Sequence, residues 1–271
     1  MAKKPDLTPL AMPDFEQSER NGAVRFVAAV ISPLIRLTFG LRVKGAEKLP
    51  KEGAFIVVSN HVTKVDALAM AYFLYHRVGR TPHFLAKEGL FRLAGIGPLL
   101  IKAGQIPVYR TRAGKNDEPL RAAYECLKHG GVIAIFPEGT LTRDPDLWPM
   151  RGRSGAVRLA VEGNVPVFPI AHWGDQEILP RYTSKLRGGF WKKVDLLVGD
   201  EIDLKKYRIG RMSTTELTEA TEMVMNKITE LVEVLRGEKA PAERFDPVAN
   251  GMQAVGNFVK QDKQAKKKAK R

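Results

Sequence analysis

A histidine and an aspartate five positions apart are the residues of this sequence best suited to acid–base chemistry. They lie in Ser59-Asn60-His61-Val62-Thr63-Lys64-Val65-Asp66, between an apolar run over 54–59 and a pattern of helical period. On one regular helix their side chains would point about 140° apart, so they meet only if the chain turns between a strand and a helix. Asp66 would then fix the tautomer of His61, which could take a proton from a substrate hydroxyl. A purely structural His–Asp pair gives the same pattern.

Two further motifs place polar residues after predicted strands. Phe136-Pro137-Glu138-Gly139-Thr140 follows one apolar run, and Gly104-Gln105-Ile106-Pro107-Val108-Tyr109-Arg110 ends another on an arginine. In α/β proteins, ligands bind beyond the carboxyl ends of the strands. Glu138 could accept a hydrogen bond from a polyol hydroxyl, and Arg110 suits bidentate binding of a phosphate group. A capping carboxylate and a solvated arginine are the alternative interpretations of these two residues.

The elements that must position these residues alternate between strands and helices. Short apolar runs predict strands over 41–45, 54–59, 83–86, 105–109, 132–136, 165–170 and 194–198. Helical periodicity predicts helices over 22–40, 66–77, 119–129, 153–162 and 214–236. Ser213 and Glu216 form a capping box at the start of the last helix. This alternation predicts an α/β fold with a largely parallel sheet flanked by helices.

A fourth motif, Val165-Pro166-Val167-Phe168-Pro169, completes a set of four motifs that carries a family resemblance. In this order, N-H-x-x-x-x-D, G-x-I-P-V-x-R, F-P-E-G-T and V-P-V-x-P resemble the glycerophospholipid acyltransferase family. This is the PlsC type, which includes the 1-acyl-sn-glycerol-3-phosphate (lysophosphatidic acid) acyltransferases. The resemblance covers residues 41–200. The chain departs from the family in having Thr63 where serine is frequent and Leu141 where arginine is frequent.

The resemblance implies an enzyme that moves a fatty acyl group from acyl-CoA or acyl-carrier protein to the free hydroxyl of 1-acyl-glycerol-3-phosphate. The product would be phosphatidic acid, and another lysophospholipid or a glycolipid is the alternative acceptor. His61 would be the general base and Asp66 its partner. The substrate-binding residues implied by the match are Asn60, Thr63, Arg110, Glu138, Gly139 and Thr140. No metal ion and no cofactor beyond the acyl donor would be needed.

The charge of the chain indicates anionic partners. Its 271 residues carry a formal net charge of +14, and the stretch from Lys260 to Arg271 holds seven basic residues against Asp262. Such a balance is typical of proteins that bind nucleic acid, phospholipid surfaces or phosphorylated metabolites. A basic nucleic-acid-binding protein is thus the alternative of another class. Because zinc-finger spacing and aromatic-rich RNA-binding strands are missing from the sequence, no nucleic-acid partner is expected.

The sequence divides into three predicted parts. Residues 1–40 form a polar segment and a helix that either lies on the membrane surface or packs on the core. Residues 41–237 form the acyltransferase domain, and 238–271 a flexible basic tail. The longest uncharged run of the first helix, 26–35, falls well short of the roughly 20 residues that a membrane span requires. We therefore expect a cytoplasmic protein, peripheral on the inner face of the cell membrane, with helix and tail on anionic lipids.

Overall fold

The computed structural model describes residues 10–16, 19–109, 118–210 and 212–253. Seven strands form one sheet in the order β1-β7-β6-β2-β5-β3-β4. Their bounds are β1 (Phe39–Lys44), β2 (Phe55–Ser59), β3 (Pro82–Lys87), β4 (Ile106–Val108), β5 (Val132–Ile135), β6 (Val167–Trp173) and β7 (Lys192–Val198). β6 and β7 pair antiparallel, and the other neighbouring strands of the sheet pair parallel. The predicted largely parallel sheet is confirmed.

Helices cover both faces of this sheet. They are α1 (Gly22–Thr38), α2 (Asp66–Phe73), α3 (Glu88–Phe91), α4 (Ile96–Lys102), α5 (Glu118–Lys128), α6 (Gly155–Glu162) and α7 (Thr214–Arg236). Buried residues of α5, α6 and α7 form one hydrophobic cluster, and buried residues of α1 and α2 form another. The predicted capping box of Ser213 and Glu216 begins α7. The fold is α/β, as the alternation of elements indicates.

The central strand β2 positions the site. Ile56 and Val58 face the cluster of α5 to α7, whereas Phe55 and Val57 face the cluster of α1 and α2. Since both faces are covered, β2 is buried throughout, and it therefore reads in the sequence as a continuous apolar run. β2 pairs parallel with β5 on one side and with β6 on the other. The carboxyl ends of these three strands thus lie side by side at one edge of the sheet.

The described residues before β1 pack on the rest of the chain. Ile35 of α1 is 1% exposed and belongs to the same hydrophobic cluster as Phe55. Glu19 accepts hydrogen bonds from the guanidinium of Arg80 at 2.7 and 2.9 Å. The described part of the first 40 residues is therefore integrated into the domain. Among the helices of the described ranges, none combines the length and apolar character needed to cross a bilayer.

Polar contacts also hold part of the segment that follows α7. Arg244 donates a hydrogen bond to Thr229 of α7 at 2.7 Å, and Arg151 forms an ion pair with Asp246 at 2.7 Å. These contacts hold Arg244 and Asp246 against the domain, and the predicted boundaries of the domain and the tail stay predictions. The strongly basic stretch at 260–271 lies outside the described residues.

Candidate active site

His61 and Asp66 meet where the chain turns from β2 into α2. His61 lies two residues beyond β2, and Asp66 is the first residue of α2. His61 Nδ1 lies 3.0 Å from Asp66 Oδ2. Because a carboxylate can only accept, Nδ1 carries the proton and Nε2 is left to accept one from a substrate. The turn that the spacing requires is present, and the catalytic role of this His61–Asp66 dyad stays a prediction.

Hydrogen-bond donors surround the Asp66 carboxylate, which is 1% exposed. Its Oδ2 also accepts the backbone N–H groups of Val62 at 2.6 Å and Thr63 at 2.8 Å, and Oδ1 accepts the Thr63 hydroxyl at 2.5 Å. Burial alone would raise the pKa of Asp66, but the charge of His172 and the bonds from His61 and Thr63 lower it. The carboxylate is therefore ionised when His61 needs its negative charge.

An aromatic stack fixes the plane of the His61 ring. The ring stacks on Phe136 with centroids 4.1 Å apart and an interplanar angle of 15°. Phe136 in turn stacks on Phe84 at 6.1 Å. The His61 side chain keeps 20% of its surface exposed, so a substrate can reach it. Asp66 and Phe136 together leave one edge of the imidazole open.

Glu138 lies behind the loop that carries the dyad. It is 1% exposed, Oε1 accepts the backbone N–H of His61 at 2.8 Å, and Oε2 accepts the backbone N–H of Met150 at 3.1 Å. Burial raises the pKa of Glu138 to about 8, although these two donors oppose the shift. Its role in acceptor binding stays a prediction. The geometry favours a different role, in which Glu138 positions His61 through its backbone.

Asn60 and Thr63, both predicted to bind substrate, are also buried. The Asn60 side chain donates to the backbone carbonyl of His172 and accepts from its backbone N–H, both at 3.0 Å. It thereby joins the end of β2 to β6. Thr63 is fully buried behind Asp66, to which its hydroxyl donates. The structure places both residues in the support of the dyad.

Gly139 and Thr140 complete the motif that follows β5. Gly139 has a φ of 68°, and a Cβ there would lie 3.0 Å from Cδ and Nε of Arg153. Glycine is required at this position by both its backbone conformation and this close approach. Thr140 is buried. Arg110 lies outside the described residues, so its predicted phosphate contact stays a prediction.

The structure contains a second buried His–Asp pair that was not predicted from the sequence. His172 is in β6, and its Nδ1 lies 2.7 Å from Oδ2 of Asp175 in the turn that follows. Its Nε2 lies 3.5 Å from Oδ2 of Asp66. The sequence offers only a weak signal, two polar residues at the end of an apolar strand. The strand order, which puts β6 beside β2, brings this pair to the dyad.

Asp66, His172 and Asp175 also raise the question of a metal ion. Among the described residues, they form a group whose potential ligand atoms lie within 4.8 Å of one another. However, the two ring nitrogens of His172 face different carboxylates, whereas an ion binds one nitrogen of an imidazole. The group is therefore better described as a network of hydrogen bonds and ion pairs. That no metal ion is required stays a prediction.

An apolar cavity of about 310 Å³ reaches the loop of the dyad. It lies among α1, α2 and β3, and most of its lining side chains are aliphatic or aromatic. Lys64, between His61 and Asp66, lines the cavity, and so does Phe84, which stacks on Phe136 beside His61. A hydrophobic chain in the cavity would therefore have its end close to the dyad.

The fold and the site together define a class of protein. A His–Asp dyad can activate a hydroxyl group, and an apolar cavity beside it can hold a fatty chain. The dyad lies at the carboxyl edge of a largely parallel sheet, where α/β enzymes bind their ligands. These features are those of an acyltransferase that acts on lipids.

Comparison with known proteins agrees with this class. The Acyltransferase family matches residues 40–173. The 1-acyl-sn-glycerol-3-phosphate acyltransferase of Bacillus subtilis is 29% identical over 211 residues, which cover 76% of this chain and 96% of that protein. The human 1-acyl-sn-glycerol-3-phosphate acyltransferase alpha is 28% identical over 205 residues, covering 67% of this chain and 70% of the human protein.

A solved structure gives the same result. The crystal structure of the 1-acyl-sn-glycerophosphate acyltransferase PlsC from Thermotoga maritima superposes with a TM-score of 0.58 at 26% identity. The match covers 81% of this chain and 80% of that one. The chain is an acyltransferase similar to the glycerophospholipid acyltransferases, and the resemblance of the four motifs is confirmed.

Proposed function

We propose that the protein transfers a fatty acyl group from a thioester to the free hydroxyl of 1-acyl-glycerol-3-phosphate, giving phosphatidic acid. The observation that carries the proposal is the His61–Asp66 dyad beside the apolar cavity. The activity for which the Bacillus subtilis and human relatives are named supports this acceptor. Acyl-CoA or acyl-carrier protein would be the donor.

The dyad would act on the acceptor hydroxyl. His61 Nε2 takes the hydroxyl proton while the oxygen attacks the thioester carbonyl. A C–O bond forms, the C–S bond breaks, and His61 returns the proton to the leaving thiolate. Asp66 stabilises the imidazolium that exists between these two proton transfers.

The direct test is thiol release from acyl-CoA in the presence of different acceptors. We expect release with lysophosphatidic acid and formation of phosphatidic acid in equal amount. If only another lysophospholipid or a glycolipid were acylated, the proposed acceptor would be wrong, but the proposed reaction type, acyl transfer from a thioester, would be retained. Repeating the assay with acyl-carrier protein identifies the donor. Absence of thiol release with every acceptor and both donors would refute the proposal.

If the cavity binds the acyl chain, filling it should change which chain lengths the protein prefers. Ala28 of α1 lines the cavity, whereas the adjacent Ala29 is exposed and does not. Ala28→Phe is expected to fill part of the cavity and to lower kcat/KM for long acyl chains more than for short ones. Ala29→Phe is the matched control and should keep the chain-length preference of the unmodified protein. Equal preferences in the two variants would show that the acyl chain binds elsewhere.

We further propose that α1 attaches the protein to an anionic membrane. Its buried side packs on the domain, and its outer side exposes four large apolar residues by 50–59%, spaced so that they share one face. This apolar face consists of Phe26, Val30, Leu34 and Leu37. Arg25 and Arg36 are exposed beside it, where they can meet lipid headgroups. The helix thus has one side for packing and another that suits a membrane.

Polar substitutions on the apolar face should weaken membrane binding. The double variant Phe26→Gln, Leu34→Gln is expected to lower the affinity for anionic vesicles by at least about tenfold, since each large apolar side chain contributes about 1.5–3 kcal/mol when buried. Flotation with liposomes measures this, and activity on detergent-dispersed substrate should be retained. Ile209→Gln is the control, because Ile209 is 87% exposed outside this face. Equal flotation of the double variant and the unmodified protein would contradict the proposal.

A further inference from the structure

We propose that His172 is a positioning residue of the reaction, a buried imidazolium held by Asp175 that keeps Asp66 ionised and so sets the pH range in which His61 acts as base. The inference rests on the proposed acyl transfer, and it assigns a role to a pair that no sequence motif marks. It concerns residues of β6 and the turn after it, which reach the dyad only through the strand order.

With Asp175 ionised, the contacts of the His172 ring require two protons. Nδ1 lies 2.7 Å from Asp175 Oδ2, and Nε2 lies 2.6 Å from the backbone carbonyl of Asn60. Nε2 also lies 3.5 Å from Asp66 Oδ2. When Asp175 is ionised all three partners are acceptors, and a neutral imidazole has only one N–H group to offer. A ring that donates on both sides is an imidazolium.

The surrounding charges favour this cation. Burial alone would lower the pKa of His172, but the carboxylates of Asp66 and Asp175 outweigh burial and raise it to about 9. Burial raises the pKa of Asp175, and the charge of His172 opposes that shift. Placing the pair's proton on Asp175 would leave a neutral ring beside the Asp66 carboxylate. We therefore assign the proton to His172, so that one imidazolium lies between the carboxylates of Asp66 and Asp175.

Asp66 needs this cation because it is a carboxylate in the protein interior. The titratable groups near it are His61 in the loop before α2, Glu138 after β5, and the His172–Asp175 pair. Besides burial, the negative charge of Asp66 raises the pKa of both Glu138 and Asp175. Without His172, Asp66 would take up a proton at higher pH and would no longer stabilise the imidazolium of His61.

The first test observes the protons directly. In the protein labelled with ¹⁵N-histidine, the His172→Gln variant identifies the His172 resonances among those of five histidines. At about neutral pH we expect both ring nitrogens of His172 to be protonated. A spectrum of a neutral tautomer, with one ring nitrogen unprotonated, would overturn the proposal. This measurement needs no substrate, so it stands even if the acyl transfer is refuted.

The second test is the pH profile of kcat/KM for acyl transfer. In His172→Gln the acid limb should move up by at least about one pH unit, so the loss near pH 6 exceeds that near pH 8.5 by about tenfold. Asp175→Asn should shift the acid limb in the same direction. This variant provides the test if His172→Gln does not fold. His129→Gln, at an exposed position, is the control and should keep the original profile. A loss of equal size at every pH would reduce His172 to a packing role and overturn the proposal.

Discussion

His61→Ala is expected to lower kcat for acyl transfer by about 10²–10⁴-fold, the contribution usual for a general base. The fold should be kept, because the ring lies in a loop and is partly exposed. Thiol release measures kcat, and thermal unfolding checks the fold. His129→Ala, which removes an exposed histidine, should turn over normally. If His61→Ala turned over within a few-fold of the unmodified protein, His61 would not be the general base.

Asp66→Asn tests the other half of the same dyad. The amide oxygen can still accept the N–H groups of Val62 and Thr63, so the loop should keep its shape. The negative charge is lost, however, and the imidazolium of His61 loses its counter-ion. We therefore expect a large fall in kcat with little change in the KM of either substrate. A variant with altered KM and normal kcat would contradict this assignment.

Glu138→Ala should affect both stability and turnover. Two buried backbone N–H groups, of His61 and Met150, would lose their acceptor, at a cost of about 1–3 kcal/mol each. Since one of them belongs to His61, kcat should fall as well. Glutamine should restore little, because its amide nitrogen would face a backbone N–H as a second donor. Urea unfolding and steady-state kinetics measure the two effects.

The alternative role of Glu138 gives the opposite result. A residue that binds the acceptor would raise the acceptor KM and leave the free energy of unfolding almost unchanged when it is removed. Glu52→Ala is a suitable control, since Glu52 is an exposed glutamate. Loss of stability together with loss of kcat would establish Glu138 as a positioning residue.

Much of the fold could be predicted from the sequence because buried parallel strands have a simple pattern. β2 is covered on both faces, so it appears as an uninterrupted apolar run, and the neighbouring strands behave similarly. The antiparallel pairing of β6 with β7 could not be predicted, since strand direction depends on contacts between distant segments. The short helices α3 and α4 were also missed, because 4 and 7 residues are too few to show a helical period.

The site was predictable only where local sequence determines it. His61 and Asp66 are close along the chain, so their spacing alone indicates a turn between them. Glu138 follows β5, and nothing local decides whether its carboxylate faces a ligand or the backbone of His61. His172 depends on the order of the strands, which the sequence does not state.

The helix α1 has a consequence for how a fatty chain would travel. Ala28 and Ile31 line the cavity, whereas Phe26 and Val30 lie on the apolar face. If that face rests on a bilayer, the lipid phase and the cavity are separated by one helix, about 10 Å thick. Each methylene exposed to water costs about 0.8 kcal/mol, so a long acyl chain crossing water meets a barrier on the order of 10 kcal/mol. A chain sliding past the side of α1 would avoid most of that barrier, which would speed its exchange between the cavity and the bilayer.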